Sequence, residues 1–183
     1  MSGPVSGGSA REPAPWELLD DGFPVPEVPL LVIGCGNPLR GDDALGPVVI
    51  RRLFDEGVPQ EVALVDGGTA GMDVAFRMRG AQRVVIVDAA RTGAEPGTIY
   101  RVPAEELAAL PSQPGLNLHA FRWDHALSFG HWLLGPHLPS DITVYLVESA
   151  SLDPDAPLSP PVDRAATEVI ALLRRDHFAS LHP

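Results

Sequence analysis

The sequence predicts a three-layer α/β/α sandwich, and three observations carry that prediction. Short, largely apolar runs recur along the chain at Leu30 to Ile33, Arg83 to Val87 and Asp141 to Val147. Such runs suit strands of a sheet covered on both faces. Between them lie segments with apolar residues at helical spacing, such as Ala44 to Phe54 and Val162 to about Arg175. The strands break at glycines or acids: Gly34-Cys35-Gly36-Asn37-Pro38, Asp66-Gly67-Gly68-Thr69, and Asp88. The resulting order is β-α-β-α-β, then strand, helix, strand, helix.

Residues 1–28, rich in proline, glycine, serine and acids, lack periodicity and read as a flexible arm. Residues 29–183 form one domain, which starts near Val28 and whose first strand is the run Leu30 to Ile33. Asp42-Asp43 opens the first helix, where acids suit the positive end of the helix dipole. Gly57-Val58-Pro59 closes it, and Glu61 to Val65 is the second strand. A helix from Ala70 to about Arg79 leads to Arg83–Val87, the central strand, which delivers Asp88 at its end. After a turn at Ala94-Glu95-Pro96-Gly97, Thr98 to Val102 alternates and reads as an edge strand. Pro103 starts a short helix. His119 stands near the start of the helix carrying Phe121, Trp123, Leu127, Trp132 and Leu133. The last strand ends at Glu148-Ser149, a proline-rich loop runs to Pro161, and a final helix closes the domain.

The chain has 183 residues, 45% of them apolar, which is one domain's worth of core. Its net charge is −11 and all 13 basic side chains are arginine. An acid balance of this size argues against nucleic-acid binding. A single cysteine, Cys35, allows no internal disulfide and points to a reducing, cytoplasmic setting. No apolar run approaches the roughly 20 residues of a membrane span, and the first residues lack the apolar stretch of a signal peptide.

A strand, glycines and a helix suggest a dinucleotide loop, and two features exclude it. Gly34 and Gly36 fit the fingerprint, but Leu39 stands where the third glycine is needed. Asp42 and Asp43 would also repel a pyrophosphate from the helix start. An acidic helix start after such a loop suits a cation.

GCGNPLRGDDALG, Gly34 to Gly46, closely resembles the opening motif of the hydrogenase maturation proteases. These endopeptidases trim the C-terminal tail of the nickel–iron hydrogenase large subunit. Gly34, Gly36, Asn37, Asp42, Asp43 and Gly46 fall on the family pattern, with aspartate at 43 where glutamate is frequent. DGGTAGMD, Asp66 to Asp73, matches a second motif, which makes Asp66, Gly67 and Gly68 candidate contacts for the substrate tail. The similarity extends to about Leu173. It implies a mixed five-stranded sheet in the order 2-1-3-5-4, with the fourth strand, Thr98–Val102, antiparallel. It also implies Asp43, Asp88 and His119 as the catalytic, metal-binding set. The expected partner is the large-subunit precursor, and the nickel is the precursor's own. The chain's site is then empty or holds a surrogate divalent ion until substrate arrives, and the chain is expected to be a monomer.

Chemically, two carboxylates and an imidazole suit a divalent first-row metal and leave positions open. Such an ion polarises a scissile carbonyl and acidifies bound water. No serine or cysteine with a partnered base is evident. Each residue also has a plainer role: Asp43 as a helix cap, Asp88 in a structural ion pair, His119 as a helix-start histidine. Asp66 either orients the tail or fixes its own turn, and Glu148 either lines the cleft or sits at a wet edge. Cys35 reads as a small buried apolar residue. His125, six residues beyond His119, falls about 240° around a helix from it. His131, His137, His177 and His182 read as surface or packing residues. Two other functions fit the same residues: a self-contained zinc metallopeptidase, and a non-catalytic chaperone for the precursor.

Overall fold

In the computed structural model, the chain folds around a five-stranded sheet. The structure describes residues 14–15, 27–69, 71–103, 106, 127 and 130–181. Strands β1 (Val28–Cys35), β2 (Val62–Gly68), β3 (Ala81–Ala90), β4 (Ile99–Pro103) and β5 (Asp141–Glu148) lie in the order β2-β1-β3-β5-β4. All neighbours are parallel except β4 and β5, which are antiparallel. The mixed topology and strand order are those that the family resemblance implies.

Side chains alternate across the sheet with period two, so each strand feeds two cores. Leu30, Val32, Val85, Val87, Tyr145 and Val147 face one side. There they pack under α1 (Leu45–Glu56) and α3 (Pro160–Leu173). Leu31, Ile33, Cys35, Val84 and Ile86 face the other side. Val74 of α2 (Gly71–Arg77), Met78 and Leu127, Leu133 and Leu134 cover them. Cys35 is thus a core residue, as its size suggests.

Several element ends differ from the sequence reading. Asp42 and Asp43 do not begin the long helix; they form a 3-10 turn, Gly41–Ala44, and α1 starts at Leu45. Strand β2 continues through Asp66 to Gly68, because Gly67 has no side chain to strike its neighbours. A Cβ there would sit 2.8 Å from Ile33 Cγ2 and 3.0 Å from Val74 Cγ2. Strand β3 continues through Asp88 to Ala90, because β5 offers backbone partners as far as Glu148. Helix α3 ends at Leu173 and passes into a π-helical turn, Arg174–Phe178. His177 is buried there, with Nε2 3.1 Å from the Tyr145 hydroxyl. His131 and His137 are exposed.

Candidate active site at the sheet rim

The glycines after β1 bring a carboxylate back over the strand end. Gly36 has φ +135°, and a Cβ on it would lie 1.9 Å from the Asp43 carbonyl oxygen. Only glycine accepts both the angle and that approach. The Asn37 N–H donates to Asp43 Oδ2 at 3.1 Å, and the Asp43 N–H donates to the Arg40 carbonyl at 3.1 Å. Neither the 3-10 turn nor α1 has a side-chain cap bond, so Asp43 is not a helix cap. Gly34 and Gly46 let α1 rest directly on β1: a Cβ on Gly34 would lie 2.3 Å from the Gly46 carbonyl oxygen. Gly46 therefore does the packing that the third glycine does in a nucleotide loop. It does so further along the chain, which leaves room for the acids.

Asp88 comes from the neighbouring strand. Val87 pairs with Gly34, the last β1 residue paired with β3, so Asp88 stands level with the end of β1, where its loop begins. It is buried, and its Oδ1 accepts the Ala89 N–H at 2.8 Å. The turn that carries Asp43 packs against β3, so the two buried carboxylates belong to adjoining elements at the C-terminal rim. That rim is where open α/β sheets place their sites. Asp66 pairs with Gly34 from the other side of β1. Its backbone is about 10 Å from that of Asp88, two strand spacings. It is exposed and its Oδ1 accepts the Gly68 N–H at 2.9 Å, so it does fix its own turn. His119 and His125 lie outside the described residues. Among the described residues, no three His, Cys, Asp or Glu side chains group to hold a metal. Asp43 and Asp88 are two of the expected three.

Two further carboxylates do work that the sequence did not disclose. Asp42 is fully buried and collects four hydrogen bonds from the β5–α3 loop. They come from Ala150 N–H (2.8 Å), Ser151 N–H (3.0 Å), Ser159 N–H (2.6 Å) and Ser159 Oγ (2.9 Å). Its own N–H donates to the Ser151 carbonyl at 3.0 Å. Glu148 is neither a cleft-lining nor a wet edge residue: it is 3% exposed. It accepts the Thr92 and Gly93 N–H groups, both at 2.9 Å, and the Thr92 hydroxyl at 2.8 Å. So the β1 loop and the β3 loop are both pinned to the end of β5. Buried carboxylates saturated with donors rigidify what they hold. No signal short of the fold could separate Asp42 from Asp43, because Asp42's partners lie more than 100 positions away.

Comparison with known proteins identifies the family and the fold. The hydrogenase maturation protease family model matches residues 47–175. Hydrogenase 2 maturation protease of Escherichia coli is 32% identical over 159 residues, covering 79% of this chain and 90% of that one. HupD of Bradyrhizobium diazoefficiens, a hydrogenase expression/formation protein, is 30% identical, covering 73% of this chain and 69% of its own length. The solved structure of the hydrogenase maturating endopeptidase HybD from E. coli superposes with a TM-score of 0.66 at 29% identity. It covers 82% of this chain and 94% of the other. With family model, sequence and fold in agreement, the chain belongs to the hydrogenase maturation proteases.

Proposed function

We propose that this peptidase removes the C-terminal extension of a nickel–iron hydrogenase large-subunit precursor after nickel insertion. In this reading Asp43, Asp88 and His119 engage the nickel that the precursor carries. The observation that carries it is the pair of buried rim carboxylates, each held through one oxygen by a backbone N–H. Orienting a ligand through its other contacts is how metal sites hold their geometry. Carboxylate oxygens with an imidazole match a divalent first-row ion, and burial sharpens their attraction for it. Nickel, once engaged, reports that the precursor is loaded and polarises groups near the scissile bond. Asp66, Gly67 and Gly68, at the end of β2, lie on the same rim and are assigned to the tail that is removed.

A cleavage assay on nickel-loaded precursor tests this reading. Asp43→Ala and His119→Ala each abolish processing in our account, while circular dichroism stays that of the wild type. Undiminished cleavage by both variants overturns the site.

A further inference from the structure

Each of the two rim carboxylates has an arginine three residues away: Arg40 before Asp43 and Arg91 after Asp88. Most described arginines are engaged. Arg51 pairs with Asp55, Arg52 with Asp163, Arg174 with Glu56, and Arg101 and Arg175 with Asp176. Arg83 bonds Ser180 and the His177 carbonyl. Among the described residues, Arg40, Arg91 and Arg164 make no side-chain hydrogen bond or ion pair. Arg164 is on α3; the other two flank the site.

Their backbones are nonetheless fixed. The Arg40 N–H donates to the Asn37 carbonyl at 3.1 Å, and its own carbonyl accepts the Asp43 N–H. Arg91 lies between Ala90, whose carbonyl accepts the Ser149 N–H at 2.9 Å, and Thr92, held by Glu148. The two positions also share one support. Ser149 holds Ala90, and the next residue, Ala150, donates to Asp42, two residues after Arg40. So two guanidinium groups without partners stand on rigid supports at one rim of a chain of net charge −11. An anionic partner is repelled by most of that surface and drawn to this spot. In a polypeptide substrate the anionic groups are carboxylates, whose planar pair of oxygens matches the guanidinium fork.

Resting on the processing function proposed above, we infer that Arg40 and Arg91 bind a carboxylate in the precursor segment that is removed. The carboxylate is an acidic side chain of the tail or its terminal group. The competing role, offsetting the charge of the buried rim acids, moves stability and leaves substrate affinity alone.

The test is steady-state cleavage of nickel-loaded precursor by wild type, Arg40→Gln, Arg91→Gln, Arg40→Lys and Arg164→Gln. We expect KM to rise about tenfold in the two rim glutamine variants, the weight of one charged hydrogen bond. We expect kcat within about twofold of wild type, partial recovery in Arg40→Lys, and no change in Arg164→Gln. Added salt should raise KM less in the rim variants than in wild type. Precursor with an amidated terminus, and precursor with tail acids changed to amides, tell the two carboxylate sources apart. A raised KM for one of them identifies the source. Unchanged KM in Arg91→Gln, an exposed position that does not disturb folding, overturns the inference, as does unchanged KM for both altered tails. If wild type leaves loaded precursor intact, the processing function itself fails and takes this inference with it.

Discussion

Asp42 and Asp43 are adjacent, chemically identical and both buried; the structure makes Asp42 a strut, and the proposed function gives Asp43 the metal. Asp42→Ala removes the acceptor for four donors from the β5–α3 loop. An orphaned buried donor costs about 1–3 kcal/mol. Allowing water to reach the Ser159 hydroxyl, the sum is about 4 kcal/mol. That is a large share of a domain's usual 5–15 kcal/mol. At about 2–4 °C per kcal/mol for a chain of this size, the melting point falls by about 8–16 °C. Asp43→Asn behaves otherwise. The amide oxygen still accepts the Asn37 N–H, so the loss of stability stays below about 1.5 kcal/mol. The negative charge is gone, however, and processing goes with it. Urea unfolding and precursor cleavage on both variants check the contrast. If Asp42→Ala unfolds within about 0.5 kcal/mol of wild type, the buried-strut assignment is wrong.

Other expectations follow from the same structure. Burial, followed by the nearby Arg101 and Arg83 charges, holds the His177 pKa below its ordinary value, while Asp176 and Asp141 oppose them in part. A depressed histidine is neutral when folded and takes up protons more readily when unfolded. Its stabilising contribution is present above the usual histidine pKa of about 6.5 and is lost as pH falls toward the folded value. Unfolding free energy should therefore drop between about pH 7 and pH 5 in wild type, and drop less in His177→Gln; equal slopes contradict this. Gly46→Ala puts a Cβ 2.1 Å from the Cys35 carbonyl oxygen, a backbone clash that should cost more than about 3 kcal/mol. Gly68→Ala meets open space and suffers only from its φ of +51°, about 1 kcal/mol. Comparable melting points for the two variants would show that strand–helix contact at Gly46 is not the constraint.

The central strands were readable because they are largely apolar runs, and the strand order because the motifs resemble a known family. The family was readable because Gly34, Gly36, Asn37 and the paired acids form a local pattern. What could not be read depends on contacts between distant parts of the chain. Asp88 sits inside β3 instead of at its end because β5 extends the pairing. Glu148 is buried because the loop after β3 folds its N–H groups onto it, a feature with no signature near position 148. Asp66 carries an i to i+2 bond to Gly68 that its Asp-Gly-Gly sequence permits but does not require.

The proposed function stands or falls on whether the enzyme reads nickel in its substrate. The most direct measurement mixes the protein with precursor prepared with and without nickel and records product masses. A shortened chain is expected from the loaded precursor only. Equal shortening of both preparations, or shortening of the nickel-free one after adding zinc to the enzyme, would contradict it.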